Sequence, residues 1–350
     1  MKKLFKRLFA FPMSSKRARS DDARRLPGKV DAKPNRYAET EKELARIRGQ
    51  VQNLDKKMDF LITFMNNRLM AGQFPAECLP ADDIRAPIAS MATIPERLPT
   101  IHIALESLLM QTILPRKIVV YVTDKIDLDR HMTTKLRRQC ERGVVIRQVE
   151  DVGSHTKLLY ALQDYPEETI LTFDDDILYP DYTVQYLLMK NALFPDAIVC
   201  NYAREISFDA DGRLRPAING RLLTPPSLVD NVLSQEFSSE PSLLAFPFGF
   251  SGVLYPPHSL DERVFDVPLF KYLCPTEDDV WFKAMALLKG TPAVVTDFGL
   301  SPRTTIVFGT QHTALRHANN GEKAHARQLA AVFSHFGLQS LLRDAAGKTE

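Results

Sequence analysis

The feature that most constrains the fold is a regular alternation of β-prone and helix-prone segments between residues 88 and 296. The β-prone segments are short, rich in Val and Ile and almost continuously apolar, as in KIVVYVT at residues 117–123. Such strands are typical of a parallel sheet that is buried on both faces, with a helix connecting each strand to the next. The sequence therefore predicts an α/β fold with a mainly parallel sheet and helices on both faces.

The individual elements follow from the same pattern. We expect strands over residues 88–92, 117–123, 144–149, 169–173, 197–201, 250–255 and 293–296. We expect helices over residues 101–110, 128–142, 157–162, 182–192 and 278–288. Residues 205–245 interrupt this order with Pro, Ser and Gly, which predicts an insertion over one edge of the sheet.

The N-terminal residues 1–36 have a different composition and predict a basic amphipathic leader and a linker. Residues 1–30 contain ten Lys and Arg and two Asp, so with a total charge of +2 residues 31–350 carry −6. In residues 1–11, apolar side chains and cations are spaced as in helices that lie in a membrane interface, although a disordered basic leader has the same composition. We expect contact with an anionic membrane surface, in a cytoplasmic protein that is peripheral to the inner face of the cell membrane.

A heptad pattern occupies residues 37–70. Apolar residues recur at alternating spacings of three and four from Leu44 to Met65, which predicts a short coiled coil and a homo-oligomer formed through residues 44–65. The alternative is an amphipathic helix packed on its own catalytic domain. Residues 71–85 read as a linker, and residues 321–350 as a C-terminal helix and tail.

Several classes of protein are disfavoured. A total charge of +2 indicates no nucleic-acid partner. The four cysteines form no C-x-x-C pair, which disfavours a disulfide framework or a structural zinc site. No stretch approaches the roughly 20 apolar residues of a membrane-spanning helix.

The main chemical signal is an acidic triplet that follows a predicted strand. In TILTFDDDILYP, Asp174, Asp175 and Asp176 come directly after apolar residues. Ligands of open α/β sheets bind just outside the carboxyl ends of the strands. Adjacent carboxylates repel each other, and their hard oxygen atoms suit Mg²⁺ or Mn²⁺. An acidic turn that caps the next segment is the alternative.

A second acidic segment, TEDDVW, begins the predicted helix over residues 278–288. Its carboxylates suit a general base at the rim of the same crevice. The alternative is structural, because Thr276 and Asp279 have the spacing of a capping box.

The order of five segments resembles a known family. PIASMATIPERL, DVGSHTKLLYAL, FDDDILYP, FSGVLYPP and TEDDVW follow each other as in bacterial glycosyltransferases of the GT-A fold, similar to the inverting family-two type. The resemblance covers residues 86–320 and implies a GT-A domain there. It implies transfer of a sugar from a nucleotide-diphosphate sugar, UDP-linked, to a hydroxyl of a glycan or glycolipid acceptor for cell-surface polysaccharide.

The resemblance also implies roles for individual residues. Asp279 corresponds to the catalytic base, with Asp278 as its neighbour. The metal, Mn²⁺ or Mg²⁺, is expected at Asp176 and Asp174 with a late histidine, for which His312 is the candidate and His317 the alternative. The expected donor-binding residues are Thr93, Arg97, Asp124, Lys157, Asp174, Asp175 and Gly252.

Other functions remain as alternatives. A nucleotidyltransferase that acts on sugar phosphates uses a similar sheet and acidic site, but it usually carries a glycine-rich phosphate loop, and SMATIPER at residues 90–97 has no glycine. A non-catalytic coiled-coil scaffold is the other alternative, against which the two acidic motifs argue. The pattern Q-x-x-R-W is missing, so single sugar transfer is favoured over chain polymerisation.

Overall fold

The computed structural model describes residues 43–44, 47, 86–223, 240–296, 305–307, 310 and 322–346. The chain divides into two units, Met1–Asn53 and Leu54–Glu350, and all elements below belong to the second. In the first unit, Leu44 and Ile47 are helical and exposed to solvent. The leader, the rest of the heptad pattern, the linker over residues 71–85, His312 and His317 lie outside the described residues.

The strands match the predicted alternation closely. They are β1 Ile88–Thr93, β2 Lys117–Thr123, β3 Val144–Val149, β4 Ile170–Asp174, β5 Ile177–Leu178, β6 Ile198–Cys200, β7 Ala203–Glu205, β8 Ala245–Pro247, β9 Val253–Tyr255, β10 Ala293–Val295 and β11 Thr305–Ile306. The helices are α1 His102–Leu109, α2 Leu128–His131, α3 Thr134–Glu141, α4 Thr156–Asp164, α5 Thr183–Leu193, α6 Val267–Leu273, α7 Asp278–Lys289, α8 Glu322–His335 and α9 Leu338–Ala346.

Seven strands form one sheet in the order β10-β6-β9-β4-β1-β2-β3. All neighbours are parallel except β9, which runs antiparallel to both β4 and β6. In the register, Ala92 of β1 is opposite Asp174 of β4, and Thr93 is opposite Val122 of β2. The carboxyl ends of β1, β2 and β4 therefore meet at one edge of the sheet.

Each face of the sheet carries its own apolar core. In β2, Val119 and Tyr121 point into one core and Ile118 and Val120 into the other, as the two-residue period of a strand requires. The first core is covered by α4, α6, α7 and α8, and the second by α1, α3 and α5. The predicted α/β fold, a mainly parallel sheet with helices on both faces, is confirmed for the described residues.

Two predicted helices differ in the structure. The helix expected over residues 128–142 is divided into α2 and α3, because Thr133 adopts extended backbone and its Oγ1 accepts a hydrogen bond from the backbone N–H of Leu136 at 3.1 Å. Thr133 thereby caps a new helix rather than continuing the old one. The single C-terminal helix is likewise two helices, α8 and α9, separated by Gly337 with φ of +65°.

The predicted insertion over residues 205–245 begins and ends in a small sheet. There β7 pairs antiparallel with β8. None of the described helices has both the length and the hydropathy that crossing a bilayer requires.

Candidate active site

The acidic triplet lies at the carboxyl end of β4, as the sequence predicts. Asp174 is the last residue of that strand, and Asp175 and Asp176 form the turn that leads to β5. Tyr179 fixes this turn, because its hydroxyl accepts a hydrogen bond from the backbone N–H of Asp174 at 2.8 Å and donates one to the carbonyl of Phe250 at 3.0 Å. The turn is thereby tied to the segment that precedes β9.

Asp175 is buried and joins the triplet to the loop that follows β1. Its Oδ2 accepts a hydrogen bond from the hydroxyl of Thr93 at 2.6 Å, and its Oδ1 accepts one from Nη1 of Arg97. Burial raises the pKa of Asp175, while Arg97 and Thr93 oppose that rise. These contacts orient Arg97 and Thr93, so Asp175 is suited to hold the loop that follows β1. Its predicted direct contact with the donor stays a prediction.

Asp176 faces the same guanidinium group. Nη2 of Arg97 lies 3.3 Å from Oδ2 of Asp176. Burial, followed by the nearby charge of Asp174, raises the pKa of Asp176 to about 6. A divalent cation would relieve this repulsion, and two carboxylates are the donors that Mg²⁺ and Mn²⁺ prefer, so the pair fits the predicted metal.

The third predicted metal ligand, His312, lies outside the described residues. Within the part of the chain that the structure describes, no group of three or more His, Cys, Asp and Glu side chains is arranged to hold a metal ion. The predicted ligand set therefore stays a prediction, with Asp174 and Asp176 as the members that the structure places together.

Lys157 connects the two acidic segments. It lies in the first turn of α4, and its Nζ donates a hydrogen bond to Oδ1 of Asp174 at 2.7 Å and lies 3.2 Å from Oδ2 of Asp278. Burial alone would lower the pKa of Lys157, but Asp174, Asp278 and Asp279 outweigh it and hold that pKa well above its ordinary value. The site thus contains a permanent positive charge between two groups of carboxylates.

Asp279 lies in the first turn of α7 and also contacts the segment before β9. Both of its carboxylate oxygens accept from the backbone N–H of Gly249, at 3.0 and 3.1 Å. Burial, and then the charge of Asp278, raise the pKa of Asp279 well above its ordinary value, against the opposing effects of Lys157 and that N–H. A carboxylate of raised pKa is a stronger base, which is the property the predicted role requires.

The capping-box interpretation of Thr276 and Asp279 is wrong. The residue before α7, Glu277, makes no side-chain cap, and Asp279 binds Gly249 instead of its own helix end. The hydroxyl of Thr276 accepts a hydrogen bond from Nε2 of Gln328 in α8 at 2.9 Å. Contacts from distant segments have replaced the local cap.

Two glycines allow the segment over residues 249–252 to approach neighbouring side chains closely. A Cβ on Gly249 would lie 2.9 Å from Oδ1 of Asp279 and 3.0 Å from Nζ of Lys157. Gly252 has φ of +89°, and a Cβ there would lie 2.9 Å from Cε1 of Phe173. The prediction that Gly252 forms a tight loop beside the site agrees with this geometry, and its contact with the donor stays a prediction.

Asp124 lies apart from this network. It follows β2 at the same edge of the sheet, where its backbone N–H donates to the carbonyl of Val149 at 2.8 Å. Its side chain is exposed. Its predicted contact with the base or ribose of the donor stays a prediction.

Sequence reasoning did not select Tyr179, Gly249 or Gln328. Tyr179 lies inside the segment FDDDILYP, and Gly249 directly precedes the segment FSGVLYPP, so closeness to these segments was the available signal. For Gln328 the signal was weaker: a glutamine on the apolar face of an otherwise amphipathic helix.

Several solved structures resemble the chain at low identity. One is residues 1–349 of S. aureus TarS, with 17% identity, 60% of this chain covered and a TM-score of 0.37. The chain spans 57% of that TarS fragment. A structure of the same fragment in complex with UDP-GlcNAc matches at 16% identity over 60% of this chain and 55% of that one, with a TM-score of 0.37.

Another is the mannosyltransferase PcManGT from Pyrobaculum calidifontis in complex with GDP-Man and Mn²⁺, with 16% identity, 81% of this chain and 73% of that chain covered, and a TM-score of 0.41. No family model and no curated protein matches the chain. These TM-scores are all below 0.5.

Proposed function

We propose that the chain is a glycosyltransferase that moves a sugar from a nucleotide-diphosphate sugar, UDP-linked, to a hydroxyl of a glycan or glycolipid acceptor, with inversion. One observation carries the proposal: the ammonium group of Lys157 lies between Asp174 of the triplet and Asp278 of the second acidic segment. A leaving-group site and a base are therefore adjacent on the two sides of one fixed cation.

The departing nucleoside diphosphate gains negative charge as its bond to the sugar breaks. Arg97 and Lys157 supply positive charge at this position, and both are already oriented by carboxylates, so little reorganisation accompanies the reaction. Arg97 is suited to pair with two phosphate oxygens at once. Asp174 and Asp176, with His312 as the predicted third ligand, would hold Mn²⁺ or Mg²⁺, which when bound neutralises charge on the diphosphate as a Lewis acid.

Asp279 is the proposed base. As the acceptor oxygen forms its bond to the anomeric carbon, the bond from that carbon to the diphosphate breaks on the opposite side. The hydroxyl proton passes to the Asp279 carboxylate, and the electron pair of the broken bond leaves with the diphosphate. The N–H of Gly249 holds the Asp279 carboxylate in place, and the raised pKa of Asp279 favours acceptance of the proton.

The test uses the full chain and a panel of nucleotide sugars, with and without Mn²⁺, and follows the release of nucleoside diphosphate. Asp279→Asn should lower turnover by about 10²–10⁴ while donor affinity, measured by thermal shift, changes little. The matched control is Asp266→Asn. Asp266 caps α6 by accepting from the N–H of Leu269 at 3.1 Å, and asparagine caps about as well, so turnover should be unchanged.

Two outcomes would contradict parts of this mechanism. Full activity of Asp279→Asn together with an inactive Asp278→Asn would move the base to Asp278. Wild-type turnover that survives exhaustive chelation would remove the metal from the proposal.

The surroundings of the enzyme are proposed from the sequence alone. The basic leader, residues 1–36, would place it on the inner face of the cell membrane, near a glycolipid acceptor or growing cell-surface polysaccharide. The heptad segment, residues 44–65, would join copies of the chain into a homo-oligomer.

A further inference from the structure

Helix α8 contacts the two residues that precede the proposed catalytic acids. Gln328 binds Thr276 at two points: its Oε1 accepts the backbone N–H at 3.1 Å, and its Nε2 donates to the hydroxyl at 2.9 Å. One turn earlier in α8, Nδ1 of His325 lies 3.1 Å from Oε2 of Glu277. Three polar contacts therefore tie α8 to the segment that leads into α7.

Within the described residues 276–279, no side chain caps the start of α7. Glu277 occupies the N-cap position without a side-chain hydrogen bond to the helix, and Thr276 is bound to Gln328. A helix start without a cap is less stable than a capped one by about 1 kcal/mol, and its first turn frays more readily. The position of Asp278 and Asp279, the first two residues of α7, therefore depends on contacts from elsewhere.

The burial of the two α8 side chains indicates that these contacts matter. Both His325 and Gln328 are 3% exposed. Burial of polar groups is unfavourable unless they are hydrogen-bonded, and an apolar residue would serve packing alone better. The neighbouring Leu329, Val332 and Phe333 fill the core between α8 and α7, so they hold α8 in place as a rigid support.

From this geometry we infer that α8 is a positioning element of the active site, in which Gln328 and His325 hold Thr276 and Glu277 and thereby set where Asp278 and Asp279 lie. The inference rests on the proposed function. It assigns a part in catalysis to a helix that follows the predicted catalytic domain. Neither residue touches the reacting atoms, since both act through the segment that precedes α7.

The test compares two truncations in α8. Gln328→Ala removes both contacts to Thr276. Val332→Ala, one turn later and fully buried, removes only apolar packing and is the matched control. We expect Gln328→Ala to lower kcat by about tenfold to a hundredfold, the size of effect expected from a displaced catalytic group, with an unchanged KM for the donor. Val332→Ala should lose as much stability as Gln328→Ala does, and it should keep the wild-type kcat.

Amide hydrogen exchange gives a second measurement that needs no turnover. In Gln328→Ala the amides of residues 276–281 should exchange faster while the rest of α7 stays protected, and Val332→Ala should not show this local effect. His325→Asn, whose amide can replace the Nδ1 donor, should retain more kcat than His325→Ala.

The outcomes separate the two proposals. Wild-type kcat in Gln328→Ala, or an equal loss of kcat in Val332→Ala, would overturn the positioning role. If the wild-type chain itself turned over no nucleotide sugar, the proposed function would fail. Independently of that result, unchanged amide hydrogen exchange in Gln328→Ala would show that α8 does not hold this segment.

Discussion

Replacement of Lys283 by methionine should stabilise the protein, and the gain should depend on pH. Lys283 lies in α7, one turn after Asp279, and is 3% exposed. Its Nζ has no hydrogen-bond partner among the described residues. It lines a small cavity together with Asp279, and the other walls of that cavity are mainly apolar, formed by Ile198, Pro247, Tyr255, Phe282, Ala286 and Ala293. Burial in these surroundings lowers the pKa of Lys283 to about 7.

The size of the effect follows from this pKa. The fall from an ordinary 10.5 to about 7 means that burying the ammonium form costs about 5 kcal/mol. Below pH 7 both the folded and the unfolded chain carry the proton, so the full cost is present. Between pH 7 and 10.5 only the unfolded chain remains protonated, and the cost falls as the pH rises. Methionine has a similar shape without the charge, so at neutral pH Lys283→Met should gain several kcal/mol.

Urea unfolding at a series of pH values measures this difference. From pH 7 to 9.5, the unfolding equilibrium constant of the wild type relative to Lys283→Met should fall about tenfold per pH unit. Lys157→Met is the contrasting variant, because Lys157 is also buried but is paired with Asp174 and Asp278. Lys157→Met should lose about 3–5 kcal/mol. A destabilised Lys283→Met, or a gain independent of pH, would refute the reasoning.

Two further variants test other features. Gly252→Ala should lower the free energy of unfolding by about 2–4 kcal/mol, because the new Cβ meets the Phe173 ring at a position of positive φ. The control Gly290→Ala, at an open helix end, should lower it by only about 1 kcal/mol. Equal losses in urea unfolding would contradict the clash. Deletion of residues 1–36 should release the chain from anionic vesicles without changing turnover, since each Lys or Arg near such a surface contributes about 1 kcal/mol, and equal vesicle binding would contradict the leader's role.

The elements that the sequence predicted best are those whose structure is decided locally. The bounds of β2 and β3 agree with the prediction to the residue, because β-branched apolar runs there end at polar turns. The division between α2 and α3 was missed since the apolar spacing continues past Thr133, and only its side-chain cap ends the pattern. The antiparallel direction of β9 could not be predicted from the local sequence either, because strand direction depends on the path of the chain between strands.

The candidate site shows the same division. The motifs placed Asp174, Asp278 and Lys157 in one crevice, and the structure brings them into contact. The partners of each side chain were not predictable, because Lys157 and Asp278 are far apart in sequence and meet only through the sheet order. For the same reason the capping box at Thr276 was a sound local interpretation that a contact from Gln328 overrides.

The place of β9 has a consequence for the biosynthesis of the chain. β1 to β4 are neighbours in the sheet that are also consecutive in sequence, so a nascent chain completes this half early. β6 has no pairing partner in the sheet among the strands made before it, and it can pair only after β9, at residues 253–255, has been made. During that interval the apolar strand Ile198–Cys200 has both edges unpaired, which exposes this stage of synthesis to aggregation. Since α7 follows β9, the acids of the two motifs meet only after the chain has been made as far as Asp278 and Asp279.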